Sequence, residues 1–367
     1  MLQIYFFIIF AASFLLEFYG GTMKILVVRF KQIGDSILAS PMCNTLKKTF
    51  PDAEIDYVLY EHVSPIFKNH KYIDNVISIT KEEQKNPFKY IAKVWKVTRK
   101  KYDIIIDIMS TPKSEMFTLF GMGAKYRIGR TKKGRGYTYT HKIDEPTDAK
   151  NKVDKFLRML KPLEEEYKIV YDPNFTITIT PEEKAYLREK MVKAGVDFSK
   201  PVFACAVTTR VPFKIYPIDC MVKVINTLLD DLKDIQILFY YSPDQKPFIK
   251  DVHENMLGNN KRVFSNIETA SIRELAMLLD NCDLYFGNEG GPRHLAQALD
   301  IPSFAIYFPE SDKKEWLPYT NDKHQGVISS EMADSFEGMT RDEIYRLITP
   351  EYVVEQVEDL YNKYVKK

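Results

Sequence analysis

The stretch KILVVRFKQIGDSILASP, residues 24–41, sets the reading of the whole chain. Its first seven residues are apolar and β-branched with no polar alternation, the pattern of a strand buried on both faces of a parallel sheet. A polar loop follows, carrying Lys31, Gln32, Gly34 and Asp35, and then residues at helical spacing. A buried strand passing through a short loop into a helix is the opening of a βαβ unit. Read alone, the loop is a turn and a helix cap. Asp35 also reads as a carboxylate kept ionised by a helix N-terminus and available to accept a proton. Gly34 lets the backbone turn close to a substrate.

The alternation repeats outward from there. EIDYVLY (54–60), YDIIIDIM (102–109) and KYRIG (125–129) read as strands. SPMCNTLKKTF (40–50), stopped by Pro51-Asp52, reads as a helix, as do the amphipathic FKYIAKVWKVTRKK (88–101) and KVDKFLRML (152–160). The segment VYDPNFTITIT (170–180) alternates like a strand, and Thr180-Pro181-Glu182-Glu183 marks a capped helix start. A second series then begins with the buried strand PVFACAVTT (201–209) and runs through strands at 235–241, 283–288 and 302–308. Its helices lie at 220–232, 271–282 and 291–300, and a last amphipathic helix at 350–364. Ser271 and Glu274 stand at capping-box spacing. The expected architecture is α/β, with two facing Rossmann-like domains of parallel sheet and a cleft between them. The expected boundaries are an extension at 1–22, domains at 23–175 and 176–349, and a C-terminal helix at 350–367.

At 367 residues the chain exceeds one typical domain. Its 52 Lys plus Arg against 50 Asp plus Glu exclude the strong basic excess of a general nucleic-acid binder. The local run RTKKGRGYTYTHK (130–142) reads as a solvated loop or as a surface for an acidic substrate or anionic headgroups. None of the four cysteines forms a CxxC pair or clusters with histidine, which fits buried free thiols in a reducing compartment. Residues 1–22 are apolar through Leu16, with no Lys or Arg ahead of the apolar run, and fall short of the ~20 residues that span a bilayer. The expectation is an extension outside the working enzyme, the alternatives being a membrane anchor or an unusual leader, with the fold starting at Met23.

Ligands of such sheets bind beyond the carboxyl ends of the strands. No P-loop, strand-following GxGxxG, HExxH or GxSxG is present, and GMGAKY (121–126) precedes a strand and reads as a turn. Three strand-end loops remain. The first carries Asp35. The second, TTRVPFKIYP (208–217), places the hydroxyls of Thr208 and Thr209 and the charge of Lys214 after a buried strand, a set that suits phosphate. In the third, GNEGGPRHLAQAL (287–299), Gly290 and Gly291 open a helix whose bare amides suit an anion, with His294 one turn inside. Each has a plain reading as well: a turn, a solvated lysine, a packing histidine.

Together these loops resemble glycosyltransferase family 9, the ADP-heptose:lipopolysaccharide heptosyltransferases. The resemblance rests on Arg29 through Asp35, on Thr208, Thr209, Arg210, Lys214, Tyr216 and Pro217, and on Glu289 through Ala296, and runs from Met23 to about Lys323. It implies a GT-B fold and inverting, metal-independent transfer of a sugar from a nucleotide-diphosphate donor, ADP-heptose or similar. The acceptor would be a hydroxyl of a lipid-linked or lipopolysaccharide-core glycan, at the inner face of the cytoplasmic membrane with peripheral contact there. By the same resemblance Asp35 is the general base. Lys214, Thr208, Thr209, Glu289, Gly290, Gly291 and His294 form the donor site, and Lys31, Gln32 and Gly34 contact donor or acceptor. No cofactor is expected. Glu289-Gly290 replaces the family's Asp-Thr, and Lys31 and Gln32 stand where serines are common, which leaves the sugar open. The alternatives are another GT-B-like enzyme, such as a nucleotide-sugar epimerase, and a non-catalytic sugar-nucleotide-binding protein.

Overall fold

The structure is a computed structural model that describes residues 21–319 and 321–366; the expectations for residues 1–20 lie outside the described residues. Two six-stranded, wholly parallel sheets carry the fold. The first has the order β3-β2-β1-β4-β5-β6, from β1 (Lys24–Val28), β2 (Glu54–Tyr60), β3 (Asn75–Ile79), β4 (Ile104–Asp107), β5 (Tyr126–Arg130) and β6 (His141–Ile143). The second has the order β12-β11-β10-β7-β8-β9, from β7 (Val202–Ala206), β8 (Gln236–Phe239), β9 (Val263–Phe264), β10 (Leu284–Asn288), β11 (Ser303–Ile306) and β12 (His324–Val327). In both, the chain starts at a central strand, winds outward on one side and returns to build the other. The order therefore reverses between β1 and β4 and again between β7 and β10, and a crevice opens at each reversal.

Both central strands are buried on both faces, as their unbroken apolar runs require. Successive side chains point to opposite faces. Leu26 and Val28 pack with Tyr90 and Val94 of α3 (Pro87–Thr98) and Phe117 of α4 (Pro112–Phe120). Ile25 and Val27 face α1 (Ile33–Ala39), α2 (Pro41–Thr49) and α5 (Lys152–Leu157). That inner core continues without a break into the second unit, through α6 (Pro181–Lys193) and Leu275–Leu279 of α8 (Ile272–Asp280). The far face of the second sheet is covered by α7 (Ile218–Asp231) and α10 (Pro350–Leu360). The remaining long helix, α9 (Gly291–Ala298), belongs to the inner layer.

Local signals behave as the residues dictate, with two exceptions. Thr180 and Glu183 form the full reciprocal cap at the start of α6. At α8 the Ser271 hydroxyl accepts from the Glu274 amide, but the Glu274 carboxylate turns to the Ala270 amide instead, so only half the box forms. The alternating segment 170–180 is extended but joins neither sheet. Phe175 and Ile177 are buried as the alternation implies. Side chains of α2 satisfy its backbone instead: Asn44 donates to the Asn174 carbonyl (2.6 Å), and Thr45 accepts from the Asp172 amide (3.0 Å). The alternation reports burial on one side, which a packed linker produces as readily as a strand.

Arg273 ties the two units. Its buried guanidinium donates to the Ile66 carbonyl in the first (3.0 Å), to the linker carbonyl of Thr178 (2.7 Å) and to Glu183 (2.5 Å). Replacing Arg273 with Met should cost about 3 kcal/mol, because the Glu183 carboxylate and two carbonyls lose their donor. Urea denaturation should show a lower midpoint with native circular dichroism at zero denaturant.

Burial also lowers His70 and His324 to about 4. The backbone at Thr176 opposes the shift at His70, and Arg293 reinforces it at His324. Both rings stay neutral in the fold while the unfolded chain takes up protons near pH 6.5. Their contribution is thus fully present above about 6.5 and is lost as pH falls toward 4, at roughly 1.4 kcal/mol per pH unit for each ring. Denaturation at pH 6.5 and 5, above most carboxylate titration, should show a fall that shrinks in the His70→Asn variant.

Candidate functional site

The two sheet reversals face each other across the seam between the units. On the first side, β1 runs into Arg29, and α1 begins after Gln32, whose extended backbone (φ −72°, ψ 170°) and carbonyl set up the first turn. Asp35 lies in that turn. Arg29 is buried, and its Nη2 meets Asp35 Oδ1 at 2.5 Å. The guanidinium lies over the Phe156 ring at 4.7 Å, with Nη1 3.5 Å from Met109 Sδ in the loop after β4. Burial lowers the Arg29 pKa, and the Asp35 charge is the largest influence in the other direction. The β4 loop is itself held by Asp107, whose Oδ1 accepts from the amides of Met109 and Ser110 (both 2.9 Å) and whose Oδ2 accepts from the Tyr139 hydroxyl (2.7 Å). Beyond it, Arg130 and Lys132 donate to the carbonyls of Ile108 (3.1 Å) and Met109 (3.3 Å).

On the second side, Asn288 at the end of β10 stitches the reversal shut. It accepts from the Tyr216 amide (2.7 Å) and donates to the carbonyls of Ala206 (2.7 Å) and Val207 (3.0 Å). Lys214, closing the short helical turn Pro212–Lys214, lies 4.2 Å over the Phe308 ring and 3.6 Å from Glu289 Oε2. That oxygen is buried and receives no hydrogen bond. The Thr209 hydroxyl donates to the Val211 carbonyl (2.7 Å), and Gln245 donates to the Thr208 hydroxyl (3.2 Å) and the Thr209 carbonyl (2.6 Å). Both threonines thus shape their own loop.

The sides meet where α1 packs against α9. A Cβ at Gly34 would stand 2.6 Å from His294 Cδ2, and one at Gly291 would stand 3.2 Å from Ile33 Cβ. Gly290 has extended backbone (φ 170°) that any residue adopts. The close approach of the two helices therefore explains Gly34 and Gly291, and nothing comparable constrains Gly290. His294 is buried, and burial with the neighbouring Arg293 charge drives its pKa well below the usual histidine value. Arg293 Nη2 lies 2.6 Å from His294 Nδ1. Arginine has only donors, so Nδ1 accepts and the ring proton resides on Nε2. Arg293 also donates to Gln297 (2.5 Å) and to the Trp316 carbonyl (2.7 Å), while its Nε is buried without a partner.

Of the residues singled out in the sequence, Gly34 and Asp35 are brought to Gly291 and His294, and Lys214 to Glu289. Gln32 reaches the second unit by accepting from Arg210 (3.4 Å). Lys31 is exposed. Sequence reasoning missed Arg29 as the partner of Asp35, Asn288 as the stitch, and Phe308 beneath Lys214. Only Asn288 carried a signal, as the residue between a buried strand and Glu289. Among the described residues no three His, Cys, Asp or Glu side chains converge on a metal position.

Known proteins share this fold. The family described as glycosyltransferase family 9 (heptosyltransferase) matches residues 91–343. Lipopolysaccharide heptosyltransferase 3 of Escherichia coli is 25% identical over 321 residues, covering 84% of this chain and 89% of that protein. Lipopolysaccharide heptosyltransferase 1 of Campylobacter coli is 25% identical over 296 residues, covering 78% and 84%. Among solved structures, a family 9 glycosyl transferase from Veillonella parvula superposes with a TM-score of 0.78 at 20% identity, covering 93% of this chain and 97% of that one. The E. coli ADP-heptose LPS heptosyltransferase II gives 0.71 at 18% identity, covering 93% and 99%. With two parallel α/β units meeting at their sheet reversals and a family match over most of its length, the chain belongs to glycosyltransferase family 9, the heptosyltransferase family.

Proposed function

We propose that this glycosyltransferase moves a heptose or closely related sugar from a nucleotide-diphosphate donor to a hydroxyl of a lipopolysaccharide-core acceptor, working on the cytoplasmic side of the membrane. The observation that carries the reading is the placing of a helix-terminal carboxylate, Asp35, and a strand-end ammonium, Lys214, at facing sheet reversals of the two units.

Transfer with inversion needs a base on one side of the anomeric carbon and a stabilised leaving group on the other. The acceptor oxygen attacks the anomeric carbon, its proton passes to Asp35, and the bond from that carbon to the diphosphate oxygen breaks with its electron pair on the nucleotide. Arg29 engages Oδ1 of Asp35 and fixes the carboxylate plane. Lys214 neutralises the growing phosphate charge, and the start of α9 adds the Gly291 amide and the positive end of the helix dipole, Pro292 having no N–H and the Arg293 amide being bonded to the Gly290 carbonyl. Glu289, one methylene longer than the family's usual Asp, places its buried Oε2 3.6 Å from the Lys214 ammonium and so positions that charge. Neutral His294 serves as a packing ring between the units. The domain division implied is a first unit of residues 23–175 on the acceptor side and a second of 176–349 on the donor side.

Asp35→Asn keeps an oxygen for Arg29 and removes only the proton acceptor. Transfer should fall at least a hundredfold with donor affinity held within a few-fold; full activity in this variant would exclude Asp35 as the base. Lys214→Ala should weaken donor binding at least tenfold by calorimetry, and an unchanged affinity would remove its phosphate role. A thermal-shift series of nucleoside diphosphates and their sugars should single out one donor class by its rise in Tm.

A further inference from the structure

The outer layer of the first unit, α3 and α4, lies on the sheet face away from the second unit. On α3, Tyr90, Val94 and Val97 point into the core. The opposite stripe consists of Phe88, Ile91, Ala92 and Trp95, and Phe88, Ile91 and Trp95 are 84%, 40% and 50% exposed. Their spacing places them along one line of the helix surface. Scattered single apolar residues are normal on a surface, but an apolar line on one helix is not. Beside it, α4 docks through the Tyr90 hydroxyl to the Lys113 carbonyl (2.7 Å) and leads into exposed Leu119, Phe120 and Met122.

Charge singles out the same face. The segment from Lys81 to Lys101 holds eight basic and two acidic residues, in a chain whose net charge is only +2. The two acids are spoken for: Glu82 pairs with Lys89, and Glu83 lies 3.7 Å from Lys93. Lys85, Lys96 and Arg99 have no acidic partner among the described residues, and Arg99 lies over the Trp95 ring at 4.7 Å. An apolar stripe bearing an indole, bordered by long basic side chains, matches an interface of acyl chains below and anionic headgroups above. The apolar groups enter the boundary while the lysine and arginine heads reach back to phosphate.

We propose that the Phe88–Trp95 face of α3 is the surface on which this enzyme lies against an anionic lipid bilayer. As a crossover between β3 and β4, α3 runs antiparallel to the strands. Its Phe88 end is therefore at the carboxyl edge of the sheet, the edge that carries Asp35. A lipid-linked acceptor held in the bilayer would extend its glycan along this edge. The proposal draws its purpose from the transfer reaction above, but its test uses no donor or acceptor, so either can fail alone.

The full chain is mixed with vesicles of phosphatidylglycerol and phosphatidylcholine carrying brominated acyl chains, and tryptophan emission is followed. The chain has two tryptophans, Trp95 and Trp316. Emission should be quenched in the native protein and unquenched in Trp95→Phe, where only Trp316 reports. A Phe88→Ser/Ile91→Ser variant should bind these vesicles at least tenfold more weakly with an unchanged Tm, as should the native protein on pure phosphatidylcholine. Equal quenching in Trp95→Phe, undiminished binding of the double variant, or equal binding to uncharged vesicles would each overturn the assignment, the first two by placing the contact on another part of the chain.

Discussion

The close approach of α1 and α9 is the constraint around which the rest is arranged. Each helix starts at a sheet reversal, one in each unit, and each gives up a side chain where the other comes nearest, at Gly34 and Gly291. A methyl group at Gly34 would run into the imidazole of His294, itself clamped by Arg293. The helix starts can therefore face one shared space only while the backbones are bare. Asp35 owes its position to this contact as much as to its own strand.

Charge is distributed across that space with unusual economy. Arg29 is buried and its counter-charge is Asp35, so the carboxylate is oriented by the group whose burial it offsets. On the far side Lys214 rests between an aromatic face and Glu289. Asp35 and Lys214 thus each have a partner of opposite charge within the protein.

Much of this was legible in the residues. The unbroken apolar runs of β1 and β7 announced parallel sheets, and the polar loops after them fell at the reversals because a doubly wound sheet leaves no other crevice. The edge strands β3, β6, β9 and β12 went unread: β6 and β9 are only three and two residues long, and β3 (NVISI) and β12 (HQGV) lack the unbroken buried apolar run of the central strands. The linker read as a strand because alternation records which side is buried and says nothing about what the backbone bonds to. The glycines were found but explained by ligand and turn. Their true neighbour is a helix from the other unit, a contact between residues far apart in sequence that no local spacing encodes. Arg29 shows the same limit: the motif included it, but its burial against Phe156 and Met109 comes from segments far along the chain.

The linker has a mechanical consequence. Residues 170–174 are fastened to α2, so they move with the first unit. A few residues later the Ile177 amide bonds the Ala298 carbonyl (3.2 Å), and Arg273 holds the Thr178 carbonyl (2.7 Å), both from the second unit. The Thr176 backbone is still bonded by His70 of the first unit, so the chain passes from one body to the other between residues 176 and 177. With its two anchorages adjacent, the chain offers no slack for one unit to turn on the other, so the pose of the units is held at the linker as well as at the α1–α9 contact.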